Sequence, residues 1–215
     1  PQGLNVARIS TLLAGLPDST PAYTLNRFCS SGLQSVANAA ELVKSGSADL
    51  VIAAGVESMS SVPMMGFKPS INPKVLEDEN IAIAYGMGLT AEKVVGKYNI
   101  SREAQDEFAY NSHQKAILAN KNGLFEEEIS PITTNETTYS LDSKEYETVT
   151  NIVSKDEGPR EGTSTEVLGK LRTAFVQNGT VTAGNSSQMS DGAAAVLVAS
   201  EEALEKYNLN PKAEF

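Results

Sequence analysis

The first quarter of the chain alternates between helical and strand-like spacing of its hydrophobic residues. Apolar residues recur every three or four positions in residues 5–15 and again in residues 33–44, which predicts two amphipathic helices. Residues 22–28 form a short, apolar, β-prone run between these helices. Residues 50–56 are apolar without alternation, a pattern typical of a strand covered on both faces. Strand, helix and strand at this spacing predict a βαβ unit with parallel strands.

Further helices and strands are predicted along the rest of the chain. Ser101 is a candidate N-cap for a long helix, and Ser200 for a last helix over residues 201–207. Residues 180–183 and 193–199 are short apolar runs that predict two more buried strands. Between these elements, helices are predicted at residues 90–98, 101–122 and 166–172. Strands are predicted at residues 129–134 and 139–152.

The pattern changes after Glu57, because residues 58–73 are rich in Ser, Met, Pro and Gly and have no regular period. The stretch from there to the late apolar runs is too long for a loop and too mixed for a linker. We therefore predict an α/β protein with an interrupted domain. Residues 1–60 and 180–215 would form an α/β domain, and residues 61–179 an inserted α+β cap domain.

Composition and charge argue against several classes of protein. The chain has 215 residues, a net charge of -10, one cysteine and one histidine. An acidic chain argues against a nucleic-acid partner, and one cysteine excludes an intrachain disulfide framework and a Cys-rich zinc site. No apolar run approaches the roughly 20 residues of a membrane-spanning helix, so we expect no membrane partner. We expect a cytoplasmic protein unless a targeting segment precedes Pro1, and a local cation for any anionic ligand.

Cys29 lies where the first predicted strand gives way to a helix. Ser31 is a candidate N-cap, and Gln34 completes a capping-box pattern. A thiol just before a helix faces unpaired backbone N–H groups and the positive end of the helix dipole, which favour the reactive thiolate. Open α/β sheets also place ligand sites at the carboxyl ends of their strands. The alternative is an inert buried cysteine, a common state for a free thiol.

Four segments of the chain, in order, resemble those of thiolases. Residues 26–33 (NRFCSSGL) resemble the thiolase nucleophile segment, and residues 55–60 (GVESMS) resemble the next strand end. Residues 85–92 and 179–187 resemble two further family segments. The chain is most similar to the 3-ketoacyl-CoA thiolases, where CoA is coenzyme A. The resemblance implies a thiolase-like αβα layered fold, of which this chain holds an incomplete N-terminal half and the cap domain.

The resemblance assigns roles to five residues. It implies that Cys29 is the nucleophile, that Met87 lines the pantetheine channel and that Arg160 contacts the CoA nucleotide. It also places Ala183 and Ser187 on the pantetheine arm. Without the resemblance, Arg160 is an ordinary charged turn residue. The family chemistry implies no metal and no resident cofactor, because CoA is a substrate.

The resemblance further implies that the chain is a fragment. Thiolase chains are longer, and a second α/β half supplies a catalytic histidine, a second cysteine that acts as acid and base, and an asparagine that positions a water molecule. His113 is the only histidine here and lies midway along a predicted cap-domain helix. We therefore expect His113 to be a cap-domain residue without a catalytic role.

The implied reaction is thiolytic cleavage of a 3-ketoacyl-CoA to acetyl-CoA and a shortened acyl-CoA, a step of fatty-acid β-oxidation, through an acyl-cysteine intermediate. One alternative is the reverse condensation of two acetyl-CoA molecules to acetoacetyl-CoA. Another class of function is a non-catalytic acyl-CoA or lipid carrier, which the intact Cys29 segment argues against. Gly86 stands where some acetoacetyl-specific members carry histidine, and this favours the degradative enzyme. We expect a homo-oligomer, either a dimer or a dimer of dimers, with acyl-CoA and CoA as ligands.

Overall fold

The computed structural model describes residues 3–77 and 85–215. Their contacts divide the chain into two compact units: Pro1–Ile71 with Met189–Phe215 form the first unit, and Asn72–Gln188 form the second. In chain order the elements are α1 (Val6–Leu13), α2 (Ser31–Lys44), β1 (Leu50–Ser58), α3 (Pro73–Glu77), α4 (Met87–Tyr98), α5 (Arg102–Lys121), β2 (Ile132–Tyr139), β3 (Tyr146–Val153), α6 (Thr165–Gly169), β4 (Asp191–Ala199) and α7 (Glu201–Tyr207). Among the helices of the described residues, none is long and apolar enough to cross a membrane.

In the first unit, β1 and β4 form a two-stranded antiparallel sheet. Leu50 pairs with Ala199 at one end, and Ser58 pairs with Asp191 at the other. The Asp191 carboxylate holds the second end together, because the Ser60 N–H donates to its Oδ1 at 2.8 Å and the hydroxyls of Ser58 and Ser60 donate to its Oδ2. The hydrogen bonds from the Ser60 hydroxyl and N–H lower the pKa of Asp191 below its ordinary value.

Helix α2 packs on β1 through small side chains. Ala39 and Ala40 of the helix and Ala53 of the strand are buried. The Ser35 hydroxyl donates to the Ala54 carbonyl at 3.2 Å, which links the helix to the strand directly. Because alanine and serine add little bulk, α2 lies close to one face of the sheet, and this contact forms the core of the first unit.

The prediction of a parallel βαβ unit is wrong for the described residues. Residues 22–28 form no strand, and β1 pairs with β4 alone. The predicted strand at residues 180–183 is also wrong, since its Thr182 makes only an isolated bridge to Thr173. An apolar run becomes a strand only where a neighbouring strand takes up its backbone hydrogen bonds, and these two runs have no such neighbour in the described chain.

In the second unit, β2 and β3 form an antiparallel hairpin, which confirms the two middle strands with shifted ends. The ring centroids of Tyr139 and Tyr146 lie 5.3 Å apart in an edge-on arrangement beside the turn. The hydroxyls of Thr137 and Thr148 form a cross-strand hydrogen bond of 2.9 Å. These cross-strand pairs fix the register of the hairpin.

The predicted helix caps at Ser101 and Ser200 are confirmed. The Ser101 hydroxyl accepts the Ala104 N–H at 3.1 Å, and the Ser200 hydroxyl accepts the Ala203 N–H at 3.1 Å. Both α4 and α7 end at an asparagine with a φ of 51°, the left-handed conformation that commonly terminates a helix. Local capping chemistry therefore sets the bounds of these helices.

The two units divide at positions 71/72 and 188/189, each later in the chain than the predicted boundaries at 60/61 and 179/180. The difference places residues 180–188 in the second unit. The strong contacts of this segment with α4 and α5, described below, account for that placement. The role of the inserted region in CoA binding stays a prediction.

The apolar sequence of β1 and β4 predicts a sheet that is buried on both faces. In the described chain the sheet of the first unit is buried on one face only. Ile52 and Leu197 are register partners, so their side chains share one face, and they are 53% and 50% exposed. Val56, four residues further along β1 and paired with Ala193, lies on the same face and is also exposed. The apolar pattern is thus correct, but the described chain covers only the face against α2.

We predict that residues 1–215 expressed alone self-associate, because a two-stranded sheet with one uncovered apolar face favours association. The double substitution Ile52→Thr and Leu197→Thr should shift the population toward monomer in light scattering after size-exclusion chromatography. Ile132→Thr, an exposed position in the hairpin of the second unit, is the control. Unsubstituted residues 1–215 that stay monodisperse and monomeric at high concentration would contradict the prediction.

Candidate active site

Cys29 is exposed and immediately precedes the N-cap residue of α2, which is Ser30. Exposure contradicts the alternative of an inert buried cysteine. The predicted capping box is wrong, because Ser31 is the first helical residue and its hydroxyl bonds backwards along the chain. That hydroxyl accepts the Arg27 N–H at 2.8 Å and donates to the Phe28 carbonyl at 2.6 Å. Ser31 thus closes the turn that carries Cys29.

Phe28 gives this turn its sharpness. Its φ is 51°, the left-handed region that a bulky side chain rarely adopts and that costs on the order of 1 kcal/mol or more. The Asn26 side-chain oxygen accepts the Phe28 N–H at 2.8 Å and supports this conformation. Within the described residues the Cys29 N–H has no hydrogen-bond partner. The turn therefore leaves a thiol and a free N–H side by side at the start of a helix.

A chain of polar side chains holds the preceding residues against α2. The Arg27 guanidinium donates to the Gln34 side-chain oxygen. The Gln34 amide donates to Asn38 at 2.8 Å, and the Asn38 amide donates to the Tyr23 hydroxyl at 3.1 Å. Gln34 therefore takes part in this series of side-chain hydrogen bonds and not in the predicted capping box. Through it, α2 fixes the backbone that precedes Cys29.

The four residues assigned to CoA by resemblance all lie in the second unit. Met87 is the first residue of α4 and is exposed, and Arg160 is exposed on the loop after β3. Ala183 and Ser187 are exposed on the segment that leads to β4. Cys29 lies in the first unit.

The segment that carries Arg160 contacts both the segment that carries Ser187 and helix α5. Gly158, two residues before Arg160, lies against the Gln188 side chain, whose Nε2 would be 3.1 Å from a Cβ at Gly158. The Arg160 N–H donates to His113 Nδ1 at 3.3 Å. His113 lies on α5, in the second unit as predicted, and contacts the backbone of the proposed CoA-binding arginine. Within the described residues the Arg160 guanidinium makes no ion pair, so it is free to meet an anion.

Glu92 of α4 is a site-forming residue that the sequence analysis missed. Its Oε1 accepts the N–H groups of Thr180 and Val181, each at 2.8 Å, and its Oε2 accepts the Thr180 hydroxyl at 3.1 Å. Burial raises the pKa of Glu92, but the hydrogen bonds from Val181 and Thr180 outweigh it and hold the pKa below its ordinary value. The carboxylate thus ties the helix that begins at Met87 to the segment that carries Ala183.

A second missed cluster holds the same segment from α5. Asp106 is buried and forms an ion pair with Arg102, with Nε and Oδ2 2.8 Å apart. Its other oxygen accepts the Asn185 amide at 3.0 Å. The spacing of Arg102 and Asp106 by four residues on a helix was a sequence signal for the ion pair. The contact to Asn185 had no local signal, because 79 positions separate Asp106 from Asn185.

Close packing also restricts this region. A Cβ at Gly88, next to Met87, would collide with the Phe175 ring, and a Cβ at Gly184, next to Ala183, would collide with the side chains of Leu168 and Leu171. Glycine at these two positions lets α4 and the 180–187 segment lie close to their neighbours. The positions of Met87 and Ala183 therefore depend on residues that no ligand needs to touch.

Comparison with known proteins places the whole chain in one family. The family described as "Thiolase, N-terminal domain" matches residues 1–202. A 3-ketoacyl-CoA thiolase of Bacillus subtilis is 48% identical over 216 residues, which cover 100% of this chain and 54% of that protein. The chain therefore spans about half the length of the curated relatives it matches.

Two solved structures share the fold. The dimeric peroxisomal thiolase of Saccharomyces cerevisiae superposes with a TM-score of 0.79 and 41% identity, over 94% of this chain and 49% of that one. Human mitochondrial 3-ketoacyl-CoA thiolase in complex with CoA superposes with a TM-score of 0.76 and 35% identity, over 95% of this chain and 51% of that one. The thiolase-like α/β fold expected from the sequence is thereby confirmed.

We predict that Glu92→Gln destabilises the protein at neutral pH and not in acid. A group with a lowered folded-state pKa adds stability above its unfolded value, here 4.5, and loses it as the pH falls. Charge-assisted hydrogen bonds, reduced by solvent screening at this partly exposed side chain, suggest a loss of about 1 kcal/mol in the free energy of unfolding at neutral pH. Denaturant titrations at neutral pH and at a pH below both the unfolded and the folded pKa of Glu92 measure the difference.

The exposed Glu107 of α5 provides the control for that prediction. Glu107→Gln should leave the free energy of unfolding unchanged at both pH values. A deficit for Glu92→Gln that is equally large in acid would show that lost packing, rather than the carboxylate, is responsible.

Proposed function

The chain belongs to the thiolase family, and we propose that the complete protein transfers acyl groups between 3-ketoacyl-CoA and CoA through a thioester on Cys29. The observation that carries this proposal is the state of the only cysteine in the chain. It is exposed on a strained turn at the start of α2, at the position of the family nucleophile. A thiolate at a helix start is stabilised by the helix dipole and by nearby N–H groups.

The first half-reaction is thiolytic cleavage. The Cys29 thiolate attacks the 3-keto carbon, and the bond between that carbon and the adjacent methylene carbon breaks. The electron pair leaves with the methylene carbon as the enolate of acetyl-CoA, which takes a proton from an acid. The acyl group stays on Cys29 as a thioester, so one difficult step is divided into two easier ones.

The second half-reaction releases the acyl group. The thiol of a second CoA loses its proton to a base and attacks the thioester carbon, and the Cys29 thiolate is restored. Each addition creates an oxyanion next to Cys29. The free Cys29 N–H is suited to donate to that oxyanion, because a fixed backbone donor needs no reorganisation.

We propose that the second unit binds CoA, with the exposed Arg160 meeting its phosphates. Support comes from the related human thiolase, whose structure is a complex with CoA. The net charge of -10 makes a local cation necessary for an anionic ligand. CoA then serves as a substrate, and the proposal includes no resident cofactor or metal.

We further propose a cytoplasmic homo-oligomer. The related yeast thiolase is described as dimeric, and the uncovered apolar face around Ile52 and Leu197 supports association through the first unit. Whether the complete protein degrades long 3-ketoacyl-CoA or condenses acetyl-CoA is decided by profiling its activity over acyl chain length. Higher kcat/KM on substrates longer than four carbons supports the degradative enzyme, and activity confined to the four-carbon substrate supports the acetoacetyl-CoA enzyme.

We predict that Cys29→Ser in the complete protein lowers kcat by about a thousandfold or more, because a hydroxyl is hardly ionised at neutral pH. Peptide mass spectrometry after incubation with 3-ketoacyl-CoA should find the acyl group on the peptide that contains Cys29. Ser30→Ala is the matched neighbour, since the Ser30 side chain makes no capping bond, and it should keep most activity. A non-catalytic acyl-CoA carrier would bind the substrate without forming the thioester, and neither the wild type nor Cys29→Ser would turn the substrate over.

We predict that Arg160→Glu raises the KM for CoA about tenfold while kcat changes little, since it replaces a cation with an anion at the proposed phosphate contact. Lys155→Glu makes the same charge change at an exposed position five residues earlier and should leave the KM near that of the wild type. If the two substitutions raise the KM for CoA equally, the change in net charge is the cause and Arg160 does not contact CoA.

A further inference from the structure

The Asn185 side chain is committed to the interior of the second unit. Its Nδ2 donates to Asp106 Oδ1 at 3.0 Å and to the Thr180 carbonyl at 3.1 Å. Its Oδ1 accepts the Thr182 N–H at 2.7 Å. With both amide hydrogens and the oxygen occupied by protein groups, Asn185 cannot turn outward without breaking three hydrogen bonds.

The residues two positions before and two positions after Asn185 reach the surface instead. Ala183 and Ser187 are exposed, while Thr182 is fully buried. The Thr182 hydroxyl accepts the N–H groups of Gly184 and Asn185 at 3.2 and 3.3 Å, which closes a tight turn. An inward asparagine and a closed turn together set which side of the segment reaches the surface.

Asp106 is the fixed point of this arrangement. It is 3% exposed, and a carboxylate so buried is destabilising unless charge and hydrogen bonds compensate. Arg102 supplies the compensating charge. It is held by the Leu168 and Leu171 carbonyls, which accept from its guanidinium at 2.6 and 3.2 Å. Arg102 is anchored on one side of Asp106, and Asn185 is bonded to it on the other. Asp106 therefore fixes residues 180–187 relative to α5 and α6.

We infer that Asp106 is a positioning residue for CoA, acting through Asn185 to orient Ala183 and Ser187 toward the ligand. This inference rests on the proposed function, in which those two residues contact the pantetheine arm. Asp106 touches neither CoA nor the reacting atoms. Its loss should therefore weaken CoA binding and leave the chemistry at Cys29 intact.

The test uses Asp106→Asn, Asn185→Ala and the double variant in the complete protein, with the exposed Glu107→Gln on the same helix as the matched control. Asp106→Asn keeps the size of the side chain but removes the charge that Arg102 requires. We expect each single variant to raise the KM for CoA about tenfold, with kcat within about twofold of the wild type. Alkylation of Cys29 by iodoacetamide should proceed at the wild-type rate.

Two measurements separate positioning from general damage. Hydrogen exchange should become faster in the peptide covering residues 180–188 and not in peptides of the hairpin of the second unit. The double variant should have the same KM for CoA as Asn185→Ala, because Asp106 acts through that residue. Asn185→Ala leaves the ion pair in place, so it still provides the test if Asp106→Asn does not fold.

The outcomes are distinguishable. Multiplied effects in the double variant, unchanged exchange over residues 180–188, or a lower kcat with an unchanged KM for CoA would each overturn the inference while the wild type remains an active thiolase. A wild-type protein that forms no thioester on Cys29 and binds no CoA overturns the proposed function, and the assignment to CoA is overturned with it.

Discussion

A carboxylate that is almost fully buried must be matched by charge and hydrogen bonds, and this requirement organises the second unit around Asp106. One oxygen meets Arg102 of the same helix, and the other meets Asn185. Arg102 in turn donates to the carbonyl of Leu168 in α6 and to that of Leu171, two residues after the helix ends. Helix α4 contacts the same segment through Glu92, whose carboxylate accepts the N–H groups of Thr180 and Val181. Two helices, α4 and α5, thus hold one segment without regular secondary structure by polar contacts, and α6 holds Arg102 in place.

In the first unit, a few local hydrogen bonds hold the Cys29 thiol at the surface. A reactive thiol needs exposure, a fixed direction and donors nearby, and residues 26–31 provide all three by local bonding. The left-handed Phe28 is the cost of this geometry, and the Asn26 and Ser31 side chains stabilise it. Strain held in place by neighbouring hydrogen bonds is common where a side chain must be presented to a substrate.

The sequence predicts those features that depend on neighbouring residues. Periodicity locates the helices, and the serines at positions 101 and 200 locate two of their starts. The family motifs identify Cys29 as the candidate nucleophile. Strand pairing depends on distant partners, and for this reason residues 22–28 look like a strand without being one. Periodicity also detects the apolar face of β1 but cannot say what covers it.

The same limit applies to the candidate site. Arg102 and Asp106 are an ordinary helical pair in the sequence, and only the fold brings Asn185 to them. Gln34 has the correct spacing for a capping box, yet Arg27 and Asn38 engage its side chain instead. Ser31 closes the turn before the helix for a related reason, since its hydroxyl finds partners in Arg27 and Phe28 first. Where several partners compete for one side chain, local spacing does not decide the outcome.

The antiparallel pairing of β1 with β4 also has a consequence for biosynthesis. Ser58 and Asp191 are 133 positions apart, so the sheet of the first unit cannot close until the ribosome has released the whole of the second. Residues 72–188 form one continuous segment whose contacts are all available earlier. The inserted unit is therefore free to fold before β1 pairs with β4, which reverses the usual order in which N-terminal parts fold before later ones.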